Sequence, residues 1–121
     1  MHWGSQLQEL AANGVLVGES EFKFRLRWNA RAVEAALAAK RVFALEHEGL
    51  RYFPAFFADA TAKRRRQLEA ITRNLTTLSP GGKWLFFTRP KGSLAGRTPL
   101  EALSEGEFAA VKRAAEGALN R

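Results

Sequence analysis

The chain has 121 residues, 46% of them hydrophobic, and no cysteine. This length suits one compact domain or two tightly packed subdomains, and the lack of cysteine excludes disulfides, thiol catalysis and cysteine metal sites. No window approaches the roughly 18 consecutive apolar residues of a membrane span, and the first six residues lack the basic-then-apolar pattern of a secretory signal. We therefore expect a cytoplasmic protein without a membrane partner.

The formal net charge of +7 is confined to the second half of the chain. Residues 1–60 hold seven Lys and Arg against seven Asp and Glu, whereas residues 61–121 hold twelve against five. A basic surface indicates an anionic partner, either nucleic acid or an acidic protein. Any field that attracts phosphates is expected to centre on the second half.

The first forty residues have the pattern of three helices. Residues 5–13 place Leu and Ala side chains on one face and end at Asn-Gly, as helices often do. Ser20 is placed to cap a second helix over residues 21–26. A turn at residues 28–29 then leads to an alanine-rich helix over residues 30–40.

The hydrophobic period then changes from that of a helix to that of a strand. Residues 41–46 and 50–53 are β-prone, and His47-Glu48-Gly49 lies between them, so the sequence predicts a β-hairpin. Pro54 is expected to end the second strand. Residues 52–57 are too aromatic for a solvent-exposed loop and are expected in the core.

The next predicted helix begins at Asp59 or Thr61. Its apolar stripe repeats at spacings of three, four and three residues, at Leu68, Ile71, Leu75 and Leu78. The run Lys63 to Arg66 lies in its first turn, where the helix dipole disfavours cations. This run has two interpretations, a contact for phosphates or an acidic protein, and an ordinary solvated helix face.

Beyond residue 78 the pattern is one of short segments. Ser79 to Gly82 reads as a break, Lys83 to Thr88 as a short buried segment of undetermined type, and Arg89 to Arg97 as a loop. Thr98-Pro99-Leu100-Glu101 and Ser104-Glu105-Gly106-Glu107 both have the pattern of a capping box at a helix start. A final helix is expected to turn these apolar residues inward: Phe108, Val111, Ala115, Ala118 and Leu119.

The sequence offers little for catalysis. His2 lies near the terminus and His47 in the predicted hairpin turn, and neither has a partner at the spacing of a metal site or a catalytic triad. No glycine-rich phosphate motif precedes a helix. We expect a binding protein that has no catalytic residues, no bound metal and no cofactor, and is not an enzyme.

Two short helices, a tight turn and a third helix form the outline of a helix-turn-helix, with the hairpin where a wing lies. The third helix would enter the major groove of DNA, with Glu34 also near its start. The candidate DNA-binding residues are Arg25, Arg27, Asn29, Arg31, Lys40 and Arg41. The alternative is a small helical bundle whose surface charges only keep it soluble.

One stretch of the sequence is more informative than the overall composition. It runs from Trp84-Leu85 through Ser93-Leu94-Ala95-Gly96-Arg97-Thr98-Pro99-Leu100-Glu101-Ala102-Leu103 to Val111 and Ala115. It resembles the C-terminal toxin-binding domain of the Xre/MbcA/ParS-type antitoxins over about residues 61–121. The resemblance implies a mainly α fold with two regions. Residues 1–58 would be a degenerate helix-turn-helix bundle with a small β-hairpin, and residues 59–121 a helical region of the toxin-binding type.

The resemblance also implies a function. Such antitoxins neutralise a cognate toxin of the RES type, an NAD-consuming enzyme, through their C-terminal helices, and bind operator DNA as dimers or as complexes with the toxin. The residues that would contact the toxin are Lys91, Leu94, Arg97, Lys112, Arg113 and Arg121. Two alternatives stay open: a DNA-binding transcriptional regulator without a toxin partner, and a purely structural small domain.

Overall fold

The structure is a computed structural model that describes the backbone of residues 3–118 and the side chains of residues 5–118. Over this range the chain is mainly helical, with a small three-stranded antiparallel sheet. The helices are α1 (Trp3–Ala12), α2 (Glu19–Leu26), α3 (Ala30–Ala38), α4 (Ala55–Asp59), α5 (Ala62–Arg73), α6 (Pro80–Thr88), α7 (Pro99–Ser104) and α8 (Phe108–Ala118), with a 3-10 turn at Gly92–Leu94. The strands are β1 (Leu16–Gly18), β2 (Leu45–His47) and β3 (Leu50–Pro54). Within the described residues, none of the helices is both long and apolar enough to cross a membrane.

The three helices predicted for the first forty residues are present. However, α2 begins two residues earlier than predicted, with Gly18 rather than Ser20 at its N-cap, because β1 leads into the helix without a loop. Glu19 and Glu21 occupy its first turn, where the helix dipole favours carboxylates. Asn29 caps α3 by accepting a hydrogen bond from the backbone N–H of Ala32 at 2.8 Å.

The sheet has the order β1-β3-β2, so that β3 pairs with a strand on each side. The predicted hairpin is confirmed, with a first strand shorter than expected and residues 41–44 leading into it. Its two-residue turn has Glu48 at φ 52° and Gly49 at φ 78°, the positive values that a tight antiparallel connection requires. The third strand, β1, pairs Val17 with Phe53 and was not assigned from the sequence.

Aromatic rings form much of the core and connect the two halves of the chain. Phe22 of α2 stacks on Phe53 of β3 at a centroid distance of 4.4 Å. Phe43 contacts Phe57 edge-on at 5.7 Å and stacks on Phe87 of α6 at 6.3 Å. The last contact joins a residue before the hairpin to the second half, so the core crosses the boundary between residues 58 and 59.

Two predicted boundaries in the second half differ in the structure: the end of α5 and the break at residues 79–82. Thr61 caps α5, as one of the two predicted starts, but α5 ends at Arg73, and Leu75 is buried in the turn that follows. The break predicted at residues 79–82 is the start of α6: the Ser79 hydroxyl accepts from the N–H of Gly82 at 3.1 Å. Pro80 fits there because the first turn of a helix leaves its N–H groups unpaired.

The capping box at Thr98 is confirmed, and the one predicted at Ser104 is wrong. The Thr98 hydroxyl accepts from the N–H of Glu101 at 3.0 Å, and the Glu101 carboxylate accepts from the N–H of Thr98 at 2.8 Å. Ser104 is the last residue of α7, and its hydroxyl donates to the carbonyl of Glu101 at 2.6 Å. Gly106, at φ 84°, then turns the chain into α8. Leu119, predicted on its inner face, lies outside the described residues.

Candidate functional site

The corner between α2 and α3 is a three-residue turn with a fixed conformation. Arg27 adopts the left-handed region at φ 58°, and its N–H bonds to the carbonyl oxygens of Lys23 and Phe24. Trp28 packs edge-on against Phe22 at 6.0 Å. Asn29 then caps α3. The turn is therefore held by a backbone cap, an aromatic contact and a side-chain cap within three residues.

Arg51 on β3 joins both helices of this corner to the hairpin. Its guanidinium lies 2.7 Å from the carboxylate of Glu19 in α2 and 2.9 Å from that of Glu34 in α3. It also lies 5.8 Å from the ring centroid of Phe53. The hydrogen bonds to Glu34 and Glu19 raise the pKa of Arg51, and Arg51 in turn lowers the pKa of Glu34. Glu34, placed by its sequence position near the groove-reading end of α3, is therefore engaged by the hairpin.

The predicted DNA-binding cations divide into two groups. Arg25 is held by Glu21 at 3.1 Å and by Asp59 at 3.0 Å, and Arg41 lies 3.7 Å from Glu69. These ion pairs hold the two guanidinium groups against carboxylates of the protein itself. The remaining cations are exposed and make no ion pair with any residue that the structure describes: Arg27, Arg31 and Lys40.

Phe24 is a surface residue of this corner that the sequence analysis did not single out. Its side chain is 80% exposed, the most of any large hydrophobic residue in the described range. It lines a shallow depression of about 670 Å³ together with Lys23, Arg27 and Trp28. The helical period contained the signal: Phe22 and Leu26 are four residues apart and share one face of α2, so Phe24 points to the opposite side.

Two of the predicted toxin-contacting residues meet at a second surface in the C-terminal half. Lys91 and Arg113 both line a groove of about 350 Å³ whose walls include Phe86, Ser93 and Ala114. The Lys91 ammonium lies 4.9 Å from the ring centroid of Phe86, a distance at which the ring face attracts a cation. The groove therefore combines positive charge with a wall of small and aromatic side chains.

The other predicted contacts in this half have different positions. Leu94 is 2% exposed and packs in the core. Arg97 donates to the carbonyl oxygen of Leu94 at 2.9 Å and pairs with Glu105 and Glu107, and the hydrogen bonds to Glu107 and Glu105 raise its pKa. Leu94 and Arg97 thus hold the 91–98 loop against the rest of the fold. Two further contacts were predicted: Lys112 is exposed on α8 and Arg121 lies outside the described residues.

The remaining titratable groups do not assemble a metal site within the described part of the chain. His47 lies 3.8 Å from Glu48 in the hairpin turn, and His2 lies outside the described residues. Lys83 is unusual, because its side chain is largely buried on α6. Desolvation, together with the nearby charge of Lys40, lowers its pKa.

No protein-family model matches the chain, and neither a curated protein nor a solved structure shows significant similarity to it.

Proposed function

We propose that the protein binds double-stranded DNA through the corner formed by α2, the 27–29 turn and α3. The observation that carries this proposal is the pairing pattern of the charges. Arg51 fixes both helices to the hairpin through Glu19 and Glu34, while Arg27 and Arg31 stay exposed without an ion pair in the described structure. A rigid corner with uncompensated cations is suited to phosphates and base edges.

The proposed contacts follow from the position of each residue on the corner. Arg31 lies in the first turn of α3, the part of a recognition helix that reaches base edges, and an arginine there pairs with guanine. Arg27 and Lys40 flank the helix at its two ends and would contact phosphates. The hairpin is the next element after α3, six residues along the chain, and would lie beside the groove as a wing. Arg25 and Arg41 would contribute less, because their ion pairs compete with phosphate.

The test measures binding of a fluorescent 20-base-pair duplex library of random sequence, followed by selection of the tightest sequences. We expect affinity to fall steeply with salt, and Arg27→Ala to reduce the salt slope by about one. Arg31→Ala should weaken a selected site by about 1–3 kcal/mol. Arg73→Ala removes an exposed cation from the end of α5 and is the matched control. Absence of binding at low salt, or equal losses with Arg73→Ala, would reject the proposal.

We also propose a second function, on a different observation: an antitoxin-like role in which the groove beside α8 binds an acidic segment of a toxin of the RES type. The supporting observation is that Lys91 and Arg113 line one groove with Phe86 and Ala114. The sequence resemblance of this half to antitoxin toxin-binding domains points in the same direction. Charge complementarity of this kind sets association rate and specificity more than affinity.

Co-purification of the chain with the product of the adjacent gene tests this second role. We expect a stable complex that Arg113→Glu weakens and that Arg73→Glu, a charge reversal away from the groove, leaves intact. Arg97→Glu is less informative, because Arg97 holds its own loop. If no complex forms, or if both reversals have the same effect, the groove is not the interface. The binding role itself, the cytoplasmic location and the dimeric state stay predictions.

A further inference from the structure

A cavity of about 550 Å³ opens between the two halves of the chain and belongs to neither surface described above. Phe56 and Trp84 form part of its wall, with rings stacked at 6.0 Å and an interplanar angle of 10°. Leu68, Leu100 and Leu103 supply aliphatic surface from α5 and α7. Its volume lies within the range of roughly 300–1,000 Å³ that small-molecule sites occupy.

Three polar side chains line this otherwise apolar cavity, and two of them are already engaged. The carboxylate of Asp59 accepts from Arg25 at 3.0 Å, and the hydroxyl of Thr88 donates to the carbonyl of Trp84 at 2.8 Å. The third, Arg64, is half-buried and makes no ion pair with any residue in the described range. The cavity therefore presents one uncompensated guanidinium beside a stacked aromatic pair.

We infer that this cavity binds a small amphipathic anion, a carboxylate carried on an aromatic or branched aliphatic body. The guanidinium of Arg64 matches a carboxylate with two parallel hydrogen bonds, and the Phe56–Trp84 pair offers a flat apolar surface to the body of the ligand. The inference is independent of the DNA and toxin proposals, because neither of them uses Arg64, Phe56 or Trp84.

The run Lys63 to Arg66 supports an anion at this position. Thr61 caps α5, so these four cations fall in its first turns, where the helix dipole is unfavourable to them. Arg65 reaches Glu69 at 4.0 Å, whereas Lys63 and Arg66 point to solvent and Arg64 lines the cavity. A carboxylate bound beside Arg64 offsets part of this positive charge on the side of α5 that faces the cavity.

The experiment titrates the full chain with 2-naphthylacetate and, separately, with its uncharged amide, and follows both by calorimetry. The wild type should bind the acid at least about tenfold more tightly than the amide, because only the acid forms a charge-assisted pair with Arg64. Arg64→Gln should abolish that preference. Arg66→Gln, which makes the same charge change two positions away on the exposed side of α5, should retain it. Ala60→Phe, at the cavity wall, should block both probes.

Three kinds of result would overturn the inference. The first concerns the wild type: absence of binding by both probes at millimolar concentration, or equal affinity for acid and amide. The second is loss of the preference in Arg66→Gln as well as in Arg64→Gln, which would indicate attraction by the general charge of α5. The third is a wild-type dimer that Ala60→Phe dissociates, as measured by light scattering, which would show that a second copy of the chain occupies the cavity.

Discussion

Replacing Arg51 by alanine tests whether the hairpin holds the α2–α3 corner in place. The change removes the pair with Glu19, in which both side chains are about 70% buried, and the contact with the Phe53 ring. A charge-assisted hydrogen bond at this degree of burial contributes about 1–1.5 kcal/mol, and a cation near a ring at a partly exposed site about 0.5 kcal/mol. Glu34 is left out of this sum because it is exposed to solvent. We therefore expect a loss of about 1.5–2 kcal/mol.

Urea and thermal denaturation followed by circular dichroism measure this loss directly. For a domain of this size the melting temperature should fall by roughly 6–8 °C. Arg51→Lys should recover only part of the loss, because lysine lacks the planar fork, and Arg73→Ala is the control for removing an exposed cation. A double-mutant cycle with Glu19→Gln should give a coupling of about 1 kcal/mol. A variant within about 0.5 kcal/mol of the wild type, or a coupling near zero, would refute the reasoning.

Three further predictions concern a buried ring, a helix cap and a buried lysine. Phe87→Ala should lose about 3–5 kcal/mol of stability, because the ring is fully buried, whereas Phe24→Ala on the exposed face of α2 should change it by less than about 0.5 kcal/mol in the same urea assay. Thr98→Ala should lose about 1 kcal/mol through the missing cap, and Thr98→Ser should not; a neutral Thr98→Ala would contradict the capping role. Lys83→Met should stabilise the protein at neutral pH. Because the fold lowers the pKa of Lys83, the wild type carries its penalty below that pKa, and the advantage of Lys83→Met should shrink as pH approaches the ordinary value of 10.5; a difference that is constant with pH would contradict this explanation.

Local signals in the sequence predicted the elements that depend on local geometry. His47-Glu48-Gly49 marked the hairpin, and Thr98 with Glu101 marked the start of α7. The strand β1 was missed because a run of three apolar residues is too short to show the alternation of a strand. Its strand conformation depends on pairing with β3. The helix α6 was missed because Pro80, Gly81 and Gly82 read as a break, although the Ser79 cap accommodates them in the first turn and Phe87 packs in the core farther along the helix.

The residues of the candidate site were also predicted only in part from the sequence. Arg27 and Arg31 were predicted as surface cations, and the structure leaves both exposed. The pairing of Arg25 with Asp59 spans 34 positions, so no local pattern could show that this cation is already engaged. Arg97 was predicted as a contact because it adjoins a distinctive motif, yet its partners Glu105 and Glu107 lie across the next helix. Spacing identified the basic residues but not the carboxylates that neutralise them.

The order β1-β3-β2 has a consequence for the synthesis of the chain. The pairing of Gly18 with Tyr52 closes a loop that contains both α2 and α3. During translation, α2 and α3 leave the ribosome before β3, the middle strand of the sheet. Arg51 lies on β3, which is the last of the three strands to be made. Until β3 has been released, the corner lacks the middle strand of its sheet and the ion pairs of Arg51, although the turn at residues 27–29 has its local caps. The position of Arg27 and Arg31 relative to the hairpin therefore depends on a strand that is made after both helices.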